Sequence, residues 1–274
     1  MKRLLSRSGR AARYATRLAP FWVAHPLYRY TPGGFGHYRK LRAQADPAYE
    51  FDRDKHPVRE KHFGAERLGE PGDDGIVRRE YDSYDEYVEH QRQKLQEILR
   101  IGRGFTNASV AEARLRFYRR FRHLVRIVPR DATILCLGAR QGTEVEVLRE
   151  LGFRKAYGVD LNPGPDNELV REGDFNRLAE PDGSVDLVYS NSVDHAPDLD
   201  AFFAEHARVL KPGGFALYDV HRDYVPGEEA AFEASLWLRR EDVLVRALQH
   251  FERLRRLQAE PDWTWMLFQE PRRS

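Results

Sequence analysis

The stretch Ile134-Leu135-Cys136-Leu137-Gly138-Ala139-Arg140-Gln141-Gly142-Thr143 decides the fold class of this chain. Its first half is a short apolar run typical of a buried strand, and its second half is a glycine-containing turn that opens into a helical pattern. At the carboxyl ends of strands in an open parallel sheet, such turns border a crevice where backbone amides approach a bound nucleotide. The stretch therefore predicts a nucleotide-type site at the edge of a parallel sheet.

Downstream of this turn, short apolar runs alternate with helical patterns, as in strand-helix-strand units around a parallel sheet. The sequence predicts strands over 133–137, 156–160, 187–190 and 215–220, and helices over 144–151 and 201–210 that are each followed by a glycine. A helix over 240–252 and a hairpin of 254–259 with 264–269 complete the predicted sheet. The expected fold class is α/β, with a mostly parallel sheet.

Upstream of the turn, the sequence predicts a helical and irregular N-terminal extension. Ser83 and Glu86 form a capping box, and the apolar spacing after them predicts a helix that ends near Gly102. A second helix is predicted from about Ser109 to Val128, before Pro129. We therefore predict three regions: a basic arm over 1–45, an irregular and helical extension over 46–105 that is a candidate lid, and a ligand-binding domain over 106–270.

Composition and charge favour a cytoplasmic protein, with a peripheral location at a membrane as an alternative. The 274 residues are 32% charged with a net charge of +2, and the longest apolar stretches are far shorter than the roughly 20 residues that cross a bilayer. The single cysteine, Cys136, forms no internal disulfide, which suits a reducing compartment. No acidic residue precedes Asp46, whereas six basic residues crowd positions 2–17. This arm could contact an anionic membrane or nucleic acid, extend into solvent, or be a cleaved targeting peptide.

The glycine spacing argues against a dinucleotide cofactor. A dinucleotide fingerprint requires glycines at 138, 140 and 143, but this chain has Arg140 and Thr143 at the last two positions. Glu144 adds negative charge to the first helical turn, which repels a pyrophosphate and tolerates a cationic sulfonium with an ammonium group. Asp160 ends the next predicted strand, where its carboxylate can accept hydrogen bonds from both hydroxyls of a ribose. A nucleoside without a pyrophosphate is therefore the expected ligand.

Five motifs in chain order together resemble class I S-adenosylmethionine-dependent methyltransferases, of the type 11-like group. They are Gly138 to Gly142, Asp160, Gly173-Asp174-Phe175, Asp186 to Asn191 and Leu210 to Gly214. The resemblance covers about residues 107–270. It implies a Rossmann-like, mostly parallel seven-stranded sheet with helices on both faces, and S-adenosylmethionine as the cofactor. It assigns the methionine end of the cofactor to Leu137, Gly138, Ala139 and Gly142, the ribose to Asp160 with Leu161 beside it, the adenine to Asp174 and Phe175, and the reacting end to Asn191 and Ser192.

Two positions depart from that family pattern. The acidic residue that commonly stands two places before the first glycine is Cys136, and the middle glycine is Arg140. In place of that acid, we expect a backbone carbonyl or Glu144 to accept the cofactor's ammonium group. Arg140 is expected either to face the cofactor's carboxylate, where a bidentate pair is geometrically natural, or to point to solvent with only its backbone in contact.

Candidate catalytic side chains follow the predicted strands 187–190 and 215–220, at Asp194, His195 and His221. Methyl transfer needs alignment and, for a hydroxyl or a protonated amine, a base. Imidazole has an ordinary pKa of about 6.5 and can accept a proton at neutral pH, so His195 is the first candidate base and His221 the second. Packing or a structural hydrogen bond is the alternative role for each histidine. No metal site is predicted, because the carboxylates are sparse for an oxygen-seeking ion.

The resemblance implies transfer of a methyl group to oxygen or nitrogen of an acceptor, with a small molecule or a glycan favoured. The alternative is a non-catalytic module that binds S-adenosylmethionine and serves a membrane, RNA or protein partner. A nicotinamide oxidoreductase would require the glycine spacing that this chain lacks. The sequence names neither the acceptor, nor the methylated atom, nor the oligomeric state.

Overall fold

The computed structural model describes residues 67–100, 107–163, 167–226, 230, 232–260 and 262–272. The predicted basic arm over 1–45 and the first part of the extension lie outside these residues. The strands of the described part are β1 (Ile76–Arg78), β2 (Thr133–Leu137), β3 (Lys155–Asp160), β4 (Val170–Glu172), β5 (Val185–Ser190), β6 (Leu210–His221), β7 (Ser235–Trp237), β8 (Phe251–Ala259) and β9 (Trp263–Pro271). The helices are α1 (Tyr84–Arg100), α2 (Asn107–Phe121), α3 (Thr143–Glu150), α4 (Leu199–Val209) and α5 (Arg240–His250).

The chain divides into two compact units. One comprises Arg59–Leu95 and Val125–Ser274, and the other Met1–Val58 and Gln96–Leu124. Of the second unit the structure describes α2 and the residues that follow it. There, the rings of Phe117 and Phe121 lie nearly parallel with centroids 5.8 Å apart. Among the helices of the described residues, none has both the length and the apolar character needed to cross a membrane.

The sheet of the first unit confirms the predicted fold class. Its seven strands run in the order β4-β3-β2-β5-β6-β9-β8. The pairs from β4 through β6 are parallel, whereas β9 is antiparallel to both β6 and β8. Residues 134–137 of β2 are fully buried, as expected for a central strand covered on both faces.

The register of the parallel strands places one edge of the sheet where a site can form. Leu137, the last residue of β2, lies opposite Val159 of β3 and Ser190 of β5. The three strands therefore end nearly level with one another. Gly138 follows β2, Asp160 ends β3 and Asn191 follows β5, so all three are brought to the same edge.

Several predicted boundaries were wrong. The second helix ends at Phe121 instead of continuing to Val128. The apolar residues after it lie in and around a 3-10 turn over Leu124–Arg126. A 3-10 turn has a period near three residues, which apolar spacing alone does not distinguish from an α-helix. Strand β6 begins at Leu210, five residues before its predicted start at Phe215, and β1, β4 and β7 were not predicted. Each of those three strands has only three residues, too few to show an alternating pattern.

A titratable side chain, His206 of α4, lies in the core. Its ring is fully buried, and Nδ1 shares a hydrogen bond of 3.0 Å with the hydroxyl of Tyr218 on β6. Burial lowers the pKa of His206 to about 3. The folded protein therefore holds this imidazole neutral at pH values where the unfolded chain protonates it.

This burial predicts a loss of stability as the pH falls from about 6.5 toward 3. In that window the unfolded state binds the proton and the folded state does not, so acid favours unfolding. Between pH 7 and pH 5 the group should lower the free energy of unfolding by about 2 kcal/mol. Urea unfolding at both pH values tests this, with His206→Gln expected to show a correspondingly smaller pH dependence. An equal pH dependence in the two proteins would contradict the prediction.

Candidate functional site

A cavity lies at the carboxyl ends of β2, β3 and β5, with α1 as its roof. It is lined by Tyr87, Gln91, Gly138, Arg140, Asp160, Leu161, Asn162, Phe175, Ser192 and His195. Seven of these residues are sequence candidates for cofactor binding or catalysis, and the structure brings them together in one place. The three others are Tyr87, Gln91 and Asn162.

The turn between β2 and α3 forms the floor of this cavity. Gly138 has a φ of +68°, and a Cβ atom at this position would stand 2.5 Å from Oγ of Ser192. Its N–H donates to the carbonyl of Val159 at 2.9 Å, which ties the turn to the end of β3. A side chain at 138 would therefore be strained in its backbone and would collide with the facing loop. The glycine lets the backbone itself line the cavity.

Arg140 occupies a backbone conformation that normally belongs to glycine. Its φ is +49°, in the left-handed region, which explains why the family pattern has a glycine here. The residue lines the cavity and is only partly exposed. Burial lowers the pKa of the guanidinium, and the carboxylates of Asp160 and Glu144 act in the opposite direction. A guanidinium stays protonated at neutral pH, so the cavity carries a fixed positive charge.

The carboxylate of Asp160 is held in place by two backbone amides. Oδ2 accepts from the N–H of Arg140 and Oδ1 from the N–H of Asn162, each at 2.8 Å. A carboxylate has about four lone-pair sites, so each oxygen keeps capacity to accept another hydrogen bond. Asp160 lines the cavity, and a carboxylate with spare acceptor capacity suits a vicinal diol such as that of a ribose.

The Gly173-Asp174-Phe175 motif is split between the cavity and the roof. Phe175 lines the cavity and packs edge to face on Phe202, with ring centroids 5.4 Å apart. Asp174 is not among the lining residues: Oδ1 accepts from the backbone and side-chain amides of Asn176 at 2.8 and 3.1 Å, and Oδ2 accepts from the hydroxyl of Tyr84 on α1. Burial raises the pKa of that tyrosine, and its bond to Asp174 acts in the same direction.

His195 enters the cavity from a 3-10 turn over Val193–His195 that follows β5. Its Nδ1 lies 2.9 Å from the carbonyl oxygen of Phe232. Because a carbonyl can only accept, Nδ1 carries the hydrogen, and in the neutral ring Nε2 is the basic nitrogen. Oδ1 of Asp194 lies 3.7 Å from Nε2. A basic ring nitrogen and a carboxylate thus lie side by side.

The remaining sequence candidates are not among the residues that line the cavity. Outside the lining set are Leu137, Ala139, Gly142, Glu144, Asn191, Asp174, Asp194 and His221. The first four belong to β2, the turn after it and the start of α3, and Glu144 is buried. His221 ends β6 with its ring against Trp263, at 5.0 Å between centroids. The roles assigned to these residues stay predictions.

Cys136, which replaces the usual acid, does not face the cavity. Its side chain is fully buried, and burial raises the pKa of the thiol. A neutral thiol in the core cannot take the place of a carboxylate toward an ammonium group. This departure from the family pattern is therefore not compensated by the cysteine itself.

Sequence reasoning missed the two roof residues, although a signal was present. Tyr84, Tyr87 and Gln91 are spaced at i, i+3 and i+7, which puts them on one face of α1. Two tyrosines and an amide make this face more polar than a helix face that only packs against a hydrophobic core. The spacing could have identified a polar face, but not the site that the face covers.

Comparison with known proteins finds similarity to methyltransferases over part of the chain. Residues 135–218 match a family model described as a methyltransferase domain. Over 50 residues the chain is 48% identical to the sterol 24-C-methyltransferase of Aspergillus fumigatus, covering 18% of this chain and 13% of that protein. Over 134 residues it is 33% identical to the phthiotriol/phenolphthiotriol dimycocerosates methyltransferase of Mycobacterium tuberculosis, covering 41% and 48%. The chain thus spans between 13% and 48% of the length of these curated relatives.

A solved structure extends the similarity to the fold as a whole. The 1,6-didemethyltoxoflavin-N1-methyltransferase of Burkholderia thailandensis aligns with a TM-score of 0.52 and 20% identity, covering 74% of this chain and 99% of that one. That crystal structure contains 1,6-didemethyltoxoflavin and S-adenosylhomocysteine. At this identity the similarity shows a shared fold.

Proposed function

This chain carries a class I S-adenosylmethionine-dependent methyltransferase domain, and on that premise we propose that it methylates oxygen or nitrogen of an acceptor that must lose a proton. The observation that carries the proposal is the pairing of Asp160 with His195 in a single cavity. The proposal gives Asp160 the role of hydrogen-bond acceptor for the ribose and His195 the role of base.

The residues of the cavity suit S-adenosylmethionine. The absent Cβ of Gly138 leaves backbone surface at the floor, and Asp160 offers two oxygens that are fixed in direction by backbone amides. Arg140 adds a positive charge that suits the cofactor's carboxylate. Phe175 supplies an aromatic wall, as required beside an adenine. Bound there, the cofactor supplies an activated methyl group whose carbon–sulfur bond breaks, with its electron pair going to sulfur, as the acceptor's lone pair bonds to carbon.

His195 is the base in this proposal. Its Nδ1–H is committed to the Phe232 carbonyl, so the acceptor's proton goes to Nε2. The charge that develops on the ring is stabilised by Asp194, whose Oδ1 is 3.7 Å away. A hydroxyl or a protonated amine gives up a proton as it is methylated, and a base at this position would accept that proton.

A small molecule or a glycan is the proposed acceptor class. Ser192, Tyr87 and Gln91 line the cavity beside His195 and can hydrogen-bond a polar acceptor. The names of the relatives support a small acceptor, since they refer to a sterol and to 1,6-didemethyltoxoflavin. The roof helix α1 would then close over the acceptor, which is the lid role that the sequence suggested.

The proposal is tested by binding and by turnover with the full chain. We expect S-adenosylhomocysteine at a hundredfold excess over its dissociation constant to raise the free energy of unfolding by about 2.7 kcal/mol. We also expect S-adenosylhomocysteine to form from S-adenosylmethionine only when an acceptor is added, in a panel of phenols, aliphatic alcohols, amines and sugars. Mass spectrometry of the product identifies the methylated atom.

Two outcomes would contradict the proposal in different ways. Stabilisation by the ligand without acceptor-dependent turnover across the panel would favour the non-catalytic binding module. Absence of stabilisation in protein shown to be folded would contradict both functions. Turnover with carbon acceptors alone would overturn the assignment of oxygen or nitrogen.

A further inference from the structure

The polar face of α1 contacts the loops around the cavity at three points. The Tyr84 hydroxyl donates to Asp174 at one end of the cavity, and Asn176 donates to the Tyr87 hydroxyl at 3.0 Å. At the other end, Nε2 of Gln91 donates to the Phe232 carbonyl at 2.8 Å. One helix face thus spans the cavity from the predicted adenine position to the candidate base.

The Phe232 carbonyl is shared between the roof and His195. It accepts from Gln91 at 2.8 Å and from Nδ1 of His195 at 2.9 Å. A carbonyl oxygen has two lone pairs, so these two donors use both of its acceptor positions. The direction of this carbonyl decides which ring nitrogen of His195 carries the hydrogen, and Gln91 helps to fix that direction.

Other contacts hold the segment around Phe232 without setting the direction of its carbonyl. The ring of Phe232 stacks on His90 of α1, with centroids 5.3 Å apart. The N–H of Ala234 donates to the carbonyl of Asp194 at 2.8 Å, and Arg79 donates to the carbonyl of Glu233 at 2.9 Å. The segment therefore stays close to the cavity if Gln91 is replaced. What is lost is the second donor on the Phe232 carbonyl.

We propose that Gln91 is a positioning residue that, through the Phe232 carbonyl, holds His195 in the tautomer whose Nε2 can accept a proton. The inference rests on the proposed function of His195 as the base. It makes closure of α1 a condition for an active base, because the helix that covers the acceptor also supplies Gln91. A cavity without its roof would bind the cofactor but would leave His195 free to adopt either tautomer.

The test reads the tautomer directly, in full-length protein labelled with ¹⁵N-histidine and saturated with S-adenosylhomocysteine. His195→Gln identifies the resonances of His195 among the 10 histidines. In the unaltered protein we expect the Nδ1–H form. In Gln91→Met, which keeps the side-chain length and removes the donor, we expect the ratio of Nδ1–H to Nε2–H to fall about tenfold, equal to about 1.4 kcal/mol.

The matched control lies on the same helix. Nε2 of Gln93 donates at 2.9 Å to Glu89 at the surface, so Gln93→Met removes a comparable bond away from the cavity and should leave the tautomer ratio unchanged. Gln91→Glu, which replaces the amide donor with an acceptor, should shift the ratio as Gln91→Met does, and it decides the matter if the methionine variant does not fold. An unchanged ratio in a folded Gln91 variant would overturn the inference. Failure of the base assignment would instead appear as full turnover in His195→Gln.

Discussion

Replacing Asp160 with alanine is expected to weaken binding of S-adenosylhomocysteine by at least about 100-fold, since each charge-assisted hydrogen bond to a ribose hydroxyl contributes roughly 1.5 to 3 kcal/mol. The carboxylate also accepts hydrogen bonds from the backbone N–H groups of Arg140 and Asn162. Its loss therefore leaves two amides of the cavity wall without their acceptor. Both effects weaken the affinity for S-adenosylhomocysteine. Isothermal titration calorimetry measures the change in dissociation constant.

Asp131→Ala is a suitable control for this substitution. Asp131 is exposed, lies before β2 and does not line the cavity. The affinity of Asp131→Ala for S-adenosylhomocysteine should therefore match that of the unaltered protein. Thermal unfolding without ligand shows whether Asp160→Ala is folded. Unchanged affinity in folded Asp160→Ala would remove the ribose contact on which the cofactor assignment depends.

His195→Gln is expected to lower kcat/KM for the acceptor by about 10²- to 10⁴-fold, the usual contribution of a general base. Glutamine can still donate an amide hydrogen to the Phe232 carbonyl, but it cannot take a proton from the acceptor. The cofactor's dissociation constant should change by less than about threefold, because the loss concerns the transition state and not the ground state. Steady-state turnover and calorimetry together separate the two effects.

His221→Gln distinguishes the two histidines that the sequence offered as bases. His221 packs against Trp263 and is not among the residues that line the cavity. Its substitution should therefore leave kcat/KM within about threefold. A larger loss in His221→Gln than in His195→Gln would reverse the assignment.

The residues proposed for the cofactor side could be located from the sequence because the patterns that mark them are local. A glycine turn after a buried strand, and an aspartate after the next strand, are adjacent to the strands that position them. The parallel sheet then brings Gly138, Asp160 and Ser192 together without further information. This part of the prediction depended on strand order alone.

The roof could not be predicted in the same way. Helical spacing shows that Tyr84, Tyr87 and Gln91 share a face, but the partner of that face is set by tertiary packing. The acceptor of the Gln91 hydrogen bond, Phe232, lies far along the chain and outside any motif. Asp174 illustrates the same limit, because the resemblance assigned it to the adenine, whereas in the structure it accepts a hydrogen bond from Tyr84 and is not among the residues that line the cavity.

The origin of the roof also bears on how such enzymes diverge. Tyr87, Gln91 and Phe232 all lie outside residues 135–218, the stretch that matches the family model. Under the proposed function, the stretch that matches the family model holds the nucleoside, while the roof over the acceptor comes from segments before and after it. Such a division would let substitutions in the flanking segments change the acceptor while the residues that hold the donor stay the same.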